Sequence, residues 1–258
     1  MHASNRPLIL VTNDDGIYAR GIRSLVEAVR DLGDVLVVAP DKPQSGMGHA
    51  VTIHGVLRLE RVDYGEGIQA YSCSGTPVDC VKLAIYQVLK RKPDLLVSGI
   101  NHGANSSINV IYSGTMSAAI EGAIEGIPSA GFSLLDHSID ADFEASIGVA
   151  RKVVTRMLSD QHLPEGLCLN VNIPRARPED LRGIRVCRQA KARWEDAFDH
   201  RTDPTGKSYY WLTGEFKSLD TGEETDEYAL HHQYVSVVPV HFDLTAYHTI
   251  SHLQQWEL

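Results

Sequence analysis

The chain has 258 residues, 43% of them hydrophobic and 22% charged, with a net charge of −9. That length buries a substantial core as one large domain or one domain with an appendage. The acidic balance excludes a non-specific binder of nucleic-acid polymers, which needs a basic face, and there is no apolar run of the roughly 18 residues that a membrane span requires. A small anionic substrate stays open, because a bound metal reverses the local field.

The opening residues Met1–Pro7 lead directly into a strand, without the apolar stretch of a secretory leader. Cys73, Cys80, Cys168 and Cys187 form no CxxC pair and no zinc spacing, so free thiols and a cytoplasmic location are the expectation.

In chain order, Leu8–Thr12 is a short, continuously apolar run of the kind that forms a strand buried on both faces of a parallel sheet. From Gly21 to Leu32, apolar residues at 22, 25, 26, 29 and 32 have helical spacing. Val35–Ala39 repeats the strand pattern and stops at Pro40. Val78–Leu89 carries a second helical stripe, with Pro77 suited to a helix start. Asp94–Ser98 is a third strand, stopping at Gly99. Ser113–Gly126 predicts a helix rich in small residues (Ala118, Ala119, Gly122, Ala123) that can pack closely on a sheet, and Ala145–Leu158 predicts another. Leu167–Ile173 predicts a strand closed by Pro174. Apolar strands alternating with amphipathic helices imply a Rossmann-like, doubly wound α/β fold with a mostly parallel sheet. After about residue 180 the pattern changes. Arg188–Glu227 mixes charge, glycine and aromatics without a helical period, and Tyr234–Val240 is β-prone, with Pro239 pointing to an edge or terminal position. The expected organisation is a catalytic core over residues 1–180. Residues 181–258 then form extended arms and hairpins that pack back on the core and make oligomer contacts.

Polar loops follow the first three strands: Asn13-Asp14-Asp15-Gly16, Pro40 to Gly46, and Gly99 to Asn105. In open α/β sheets the carboxyl ends of the strands meet in the ligand-binding crevice, so these loops can converge. Two adjacent aspartates repel each other unless a cation intervenes, and hard oxygen ligands suit Mg²⁺, Mn²⁺ or Ca²⁺. With neutral oxygens from Ser45 and Asn101 the site would be roughly neutral. Taken alone, Asp-Asp-Gly also fits an ordinary solvated turn. Tyr112-Ser113-Gly114-Thr115 opens the small-residue helix and offers hydroxyls and backbone N–H groups to a phosphate, although simple N-capping by Ser113 or Thr115 fits as well. Ser74-Gly75-Thr76-Pro77 fits a cap-and-proline helix start. Neither GxGxxG, GxxxxGK[ST] nor GxSxG occurs. Of the twelve histidines, His49 and His102 fall in the candidate loops, while His231, His232, His248 and His252 fall in the arm region.

These segments resemble the SurE family, the stationary-phase survival proteins that act as 5′(3′)-nucleotidases. The resemblance rests on ILVTNDDGIYARGI, VVAPDKPQSGMGHAVT, GTPVDCV, PDLLVSGINHGANSSINVIYSGTMSAAIEGAIEGIPS, LNVNIP at 169–174 and YVSVVPVHFDLT at 234–245, and so covers nearly the whole chain. It implies one divalent metal, Mg²⁺ or Mn²⁺, on Asp14, Asp15, Ser45 and Asn101, with Asn105, Ser113, Gly114 and Thr115 on the phosphate side. It implies nucleoside 5′- and 3′-monophosphates as substrates, with short polyphosphate as a further one, and a homodimer or homotetramer built by exchanged C-terminal segments. Met116-Ser117 and Val238 depart from the common family pattern and bear on substrate preference. Asp14 is the expected group to orient the attacking water or accept its proton, while His102 is a candidate leaving-group acid by position alone. Two other readings stand beside this one. A haloacid-dehalogenase-like phosphatase would need a strand-end nucleophile where this chain has Asn13, and a nucleotide- or metal-sensing oligomeric regulator would bind without turnover.

Overall fold

In the computed structural model, residues 6–256 are described; Met1–Asn5 and Glu257–Leu258 lie outside them, including most of the opening segment. Eleven strands and six α-helices follow one another as β1 (Leu8–Thr12), α1 (Arg20–Val29), β2 (Asp34–Pro40), β3 (Leu59–Val62), β4 (Gln69–Cys73), α2 (Pro77–Leu83), β5 (Leu95–His102), α3 (Gly114–Ile124), β6 (Ser129–Leu134), α4 (Glu144–Ser159), β7 (Cys168–Ile173), β8 (Ile184–Val186), β9 (Ala192–Thr202), β10 (Ser208–Ser218), α5 (Asp226–His231), β11 (Val235–Val240) and α6 (Tyr247–Leu253).

Nine strands form one sheet in the order β3-β4-β2-β1-β5-β6-β7-β11-β8. From β4 through β7 every pairing is parallel, while β3 and β11 pair antiparallel with β4 and β7. The chain therefore starts in the middle, winds outward through β2 to β4, then returns past β1 and winds the other way through β5, β6 and β7. The reversal falls between β1 and β5, where an open α/β sheet leaves its crevice. This is the doubly wound α/β fold that the alternation of strands and helices predicts.

Both faces of the sheet are covered. Ile9 and Val11 join a cluster with Ile22, Leu25 and Val154, on the side where α1 and α4 pack together. Leu10 points the other way, into a cluster with Val81, Met116 and Ala119 under α2 and α3. Two-sided burial explains why β1 is apolar from Leu8 through Val11. Small residues let α3 lie close to the sheet: a Cβ on Gly122 would come within 2.3 Å of Ser129 Oγ and 2.9 Å of Leu96 Cδ1.

The C-terminal part divides in two. β8 and β11 extend the main sheet, whereas β9 and β10 form a separate antiparallel hairpin of eleven residues per strand. β11 lies between β7 and β8, but β8 pairs only with Val235–Val237. Pro239 is opposite Leu169 of β7 and has no partner strand on its other side, so its missing N–H costs no ladder bond there. Helix α6 has no buried residue. The four cysteines are free thiols.

Candidate functional site

β1 ends at Thr12, and the next four residues turn sharply. Asn13 Nδ2 donates to Gly16 O at 2.9 Å, closing the turn. The loop after β2 is sewn to it by Ile17 N–H to Pro40 O at 2.8 Å and Gln44 N–H to Asp14 O at 2.7 Å. The turn is real but not solvated, since Asp14 is only 4% exposed. A turn aspartate usually projects into water; this one is aimed into the protein, against the first turn of α3.

The contact with α3 is close and polar. Thr115 Oγ1 donates to Asp14 Oδ1 at 2.5 Å. A Cβ on Gly114 would sit 2.7 Å from Asp14 Cβ and 2.8 Å from its Oδ2, so only glycine fits there. Burial pushes the Asp14 carboxyl up to about 6, against the opposing pull of the Thr115 hydroxyl, with the Asp15 charge adding to the rise. Asp15 is half-buried and is also pushed up by burial, while the backbone N–H of His102, 3.4 Å from its Oδ2, works the other way.

β5 brings the third loop. It continues past Gly99 to His102 through an irregularity between Ser98 and Asn101. Asn101 is half-buried and its Nδ2 donates to Gly103 O at 2.8 Å, which leaves the carboxamide oxygen as its free donor to a cation. The His102 ring sits 3.3 Å from Asp136 O through Nδ1 and edge-on to Phe143 at 5.2 Å. Ser45 is exposed on the 41–52 loop, next to the anchored Gln44.

Ser113 caps α3, accepting from Met116 N–H at 3.0 Å, while its own carbonyl takes the Ser117 hydroxyl at 2.6 Å. The capping reading of Ser113 therefore holds, although its O–H stays able to donate. Thr115 does not cap; it holds Asp14. Asn105 is buried, with its backbone held at both ends: Asn172 Oδ1 accepts from its N–H at 2.7 Å, and Asn170 Nδ2 donates to its carbonyl at 2.8 Å. Its side-chain Nδ2 donates to Ser133 Oγ at 2.8 Å. Thr76 likewise caps α2 through a reciprocal box with Asp79, as the Ser74–Pro77 stretch suggests.

Two supports of the site escape a reading of the sequence. The first is a polar row across the sheet, with Asn101 beside Ser133, Ser133 beside Asn172 and Asn172 beside Ser236. The alternating asparagines of LNVNIP were its visible trace. The second is Glu121, 3% exposed on α3, which receives His49 Nε2 at 2.8 Å and Lys82 Nζ. Desolvation raises its carboxyl, but the His49 and Lys82 contacts outweigh that, and it lies below the usual glutamate value. Through His49 it pins the 41–52 loop to α3. An acid within a run of small and apolar helix residues was its sequence signal.

The donor set fits a hard divalent cation. Among the described residues no three His, Cys, Asp or Glu side chains come together as a metal cage, so a cation here needs neutral oxygens beside the Asp14-Asp15 pair. Asp14 meets the N-terminal end of α3, which favours negative charge, and a phosphate brought to the same helix end is repelled by Asp14 unless positive charge lies between them. Asn13 Oδ1 and Thr12 Oγ1 are buried without a hydrogen-bond partner among the described residues. Asn13 is also unsuited as a nucleophile, being neutral and bonded to Gly16 O.

A doubly wound sheet with paired aspartates and a glycine-led helix N-terminus at its switch point defines a phosphate-handling α/β protein. The particular family follows from comparison with known proteins. Residues 9–196 match the family model for survival protein SurE. The chain is 59% identical to the 5′-nucleotidase SurE of Flavobacterium psychrophilum, over 98% of this chain and 99% of that one. It is 61% identical to the protein of the same name from Christiangramia forsetii, over 98% of each. The SurE crystal structure from Aquifex aeolicus superposes with a TM-score of 0.82 at 40% identity, covering 96% of this chain and 98% of that one. The chain belongs to the SurE family, among enzymes named as 5′-nucleotidases.

Proposed function

We propose that this chain is a metal-dependent phosphomonoesterase that hydrolyses nucleoside 5′- and 3′-monophosphates to nucleoside and phosphate, with short polyphosphate as a further substrate. The observation that carries the reading is Asp14, a buried carboxylate held by Thr115 at the N-terminus of α3. Asp14, Asp15, Ser45 and Asn101 would hold one divalent cation, Mg²⁺ or Mn²⁺, whose chemistry is Lewis-acid neutralisation of charge on the phosphate.

The rest of the work belongs to the chain's own residues. Thr115 fixes Asp14 through Oδ1 and leaves Oδ2 beside Gly114, at the first turn of α3. Asp14, with a cation beside it, is held ionised, and its carboxylate is the group placed to orient a water and accept its proton. The Ser113 hydroxyl and the Gly114 N–H present donors to the non-bridging phosphate oxygens, and Asn105, held rigid by Asn170 and Asn172, frames the other side. His102 lines the site from the end of β5 and remains a leaving-group acid candidate by position.

Within residues 181–258, the β9–β10 hairpin and the segment beyond β11 act as arms of a homodimer or homotetramer, while β8 and β11 stay in the main sheet. Phe198, Tyr210 and Trp211 on the hairpin, and Leu244, Tyr247 and Trp256 beyond β11, are all more than half exposed, an apolar display that single chains rarely carry.

The test is phosphate release from nucleoside 5′- and 3′-monophosphates and short polyphosphate with Mn²⁺ or Mg²⁺, with and without EDTA. Metal-dependent release is the expected result. Nucleotide binding without release would return the sensing-regulator reading.

A further inference from the structure

Resting on the nucleotidase reading, we propose that the cavity between Tyr112 and the base of the β9–β10 hairpin seats the substrate's nucleobase. The cavity is about 550 Å³ and is lined by Ile108, Tyr112, Arg193, Trp194, Asp196 and Leu212. Its volume lies within the range of small-molecule sites, and its make-up of aromatic and aliphatic walls with a few polar groups matches them as well.

Its position links it to the phosphate end. Tyr112 immediately precedes Ser113-Gly114-Thr115, so a molecule whose phosphate meets the start of α3 has Tyr112 as its neighbour. The Tyr112 backbone is fixed on both sides: its N–H donates to Asn109 O at 3.1 Å, and its carbonyl accepts from Gly48 N–H at 3.2 Å. The ring itself is 56% exposed. Across the cavity Trp194 Nε1 donates to Asn109 Oδ1 at 2.8 Å, and its ring meets Phe216 edge-on at 5.5 Å. Trp194 is nevertheless 45% exposed. An anchored Trp194 ring with open surface, and a Tyr112 ring on a fixed backbone, lose little entropy on receiving a flat partner.

The same segment thus serves both ends of the substrate. Asn109 holds Trp194 and Tyr112, and the next residues open the phosphate site. Stacking on an aromatic face is tolerant of base identity, because every base has a π-face. Arg193, Asp196 and Thr213 are the polar residues of the wall. Recognition of a base as such, with modest discrimination among bases, is the selectivity this cavity gives.

The experiment compares kcat/KM for AMP with kcat/KM for ribose 5-phosphate, which carries the same phosphoester without a base. Wild type favours AMP. Trp194→Ala and Tyr112→Ala each lower that ratio about tenfold, as expected for losing one base–aromatic stack, while Trp194→Phe, which keeps a ring, stays near the wild-type ratio. Because both substrates share the chemistry, a general loss of activity cancels in the ratio. An unchanged ratio in both alanine variants overturns the base site and leaves the nucleotidase reading standing. Wild type that releases phosphate from neither substrate overturns the nucleotidase reading itself, and the base site with it.

Discussion

Asp14 carries opposing demands, since burial that makes it useful also makes its charge costly. Its carboxyl rises from 3.8 to about 6 on folding, so the stabilising contribution is full below about pH 4 and is lost as pH rises through 6. The rise corresponds to roughly 3 kcal/mol. In EDTA at pH 8, Asp14→Asn should therefore melt several degrees above wild type, because the neutral amide oxygen still accepts from Thr115 and no charge is buried. The same variant should lose phosphatase activity and any melting-temperature gain from Mn²⁺. A melting temperature at or below wild type in EDTA would sink this account of the site. Gly114→Ala puts a methyl 2.7 Å from Asp14 Cβ, a contact neither backbone can relieve without moving the carboxylate. Activity should fall about 100-fold, the scale of a 1 Å misplacement, and kcat measured at saturating metal is the check.

Elements differ in how they hold these residues. The 41–52 loop that carries Ser45 has no regular structure, and it is clipped at its base by Gln44 N–H to Asp14 O, midway by His49 to Glu121, and at its end by Thr52 to Asp79 Oδ2 at 2.6 Å. His49→Ala removes the middle clip without touching a proposed ligand. The Mn²⁺ concentration for half-maximal activity should rise about fivefold, as for one lost hydrogen bond to a charged group partly open to water, with kcat at saturating Mn²⁺ largely kept. An unaltered metal requirement would mean the loop is ordered without it. The legibility of these elements follows their burial chemistry. β1, β2 and β5 show in the sequence because both faces meet apolar helices. β6 is buried at all six positions yet reads Ser-Ala-Gly-Phe-Ser-Leu, because Gly131 makes room for Met116 and Ser133 serves Asn105. β4 and the short β3 lie at the polar end of the sheet, where their strand pattern is faint, and the long hairpin has neither face buried, so no alternation marks it. The aspartates and loop asparagines were readable because they crowd strand ends. The role of Glu121 was not, since its partners His49 and Lys82 are 72 and 39 residues away, and LNVNIP did not show which loop its asparagines hold, since Asn105 is 65 to 67 residues away.

At the scale of the molecule the two parts obey different rules. The main sheet closes its own core, whereas α6, seven residues with nothing buried, lacks the packing on its own chain that so short a helix needs. Leu244 is 93% exposed and Trp256 55%, and Leu244 lies at a groove that is also lined by Ile111, Ile120, Ile124, Val238 and Phe242. In the proposed oligomer a second copy would supply both missing halves at once, since an isologous two-fold contact presents the same two surfaces from each chain. Light scattering on the full chain should then give a multiple of 28.4 kDa. Removing residues 245–258 should lower that mass or make it strongly concentration-dependent, while the far-ultraviolet spectrum of the α/β core persists. A full chain that runs as a monomer at tens of micromolar would refute the arm assignment. The proposed site would remain untouched, since Asp14, Asn101 and Thr115 are held by bonds within one chain.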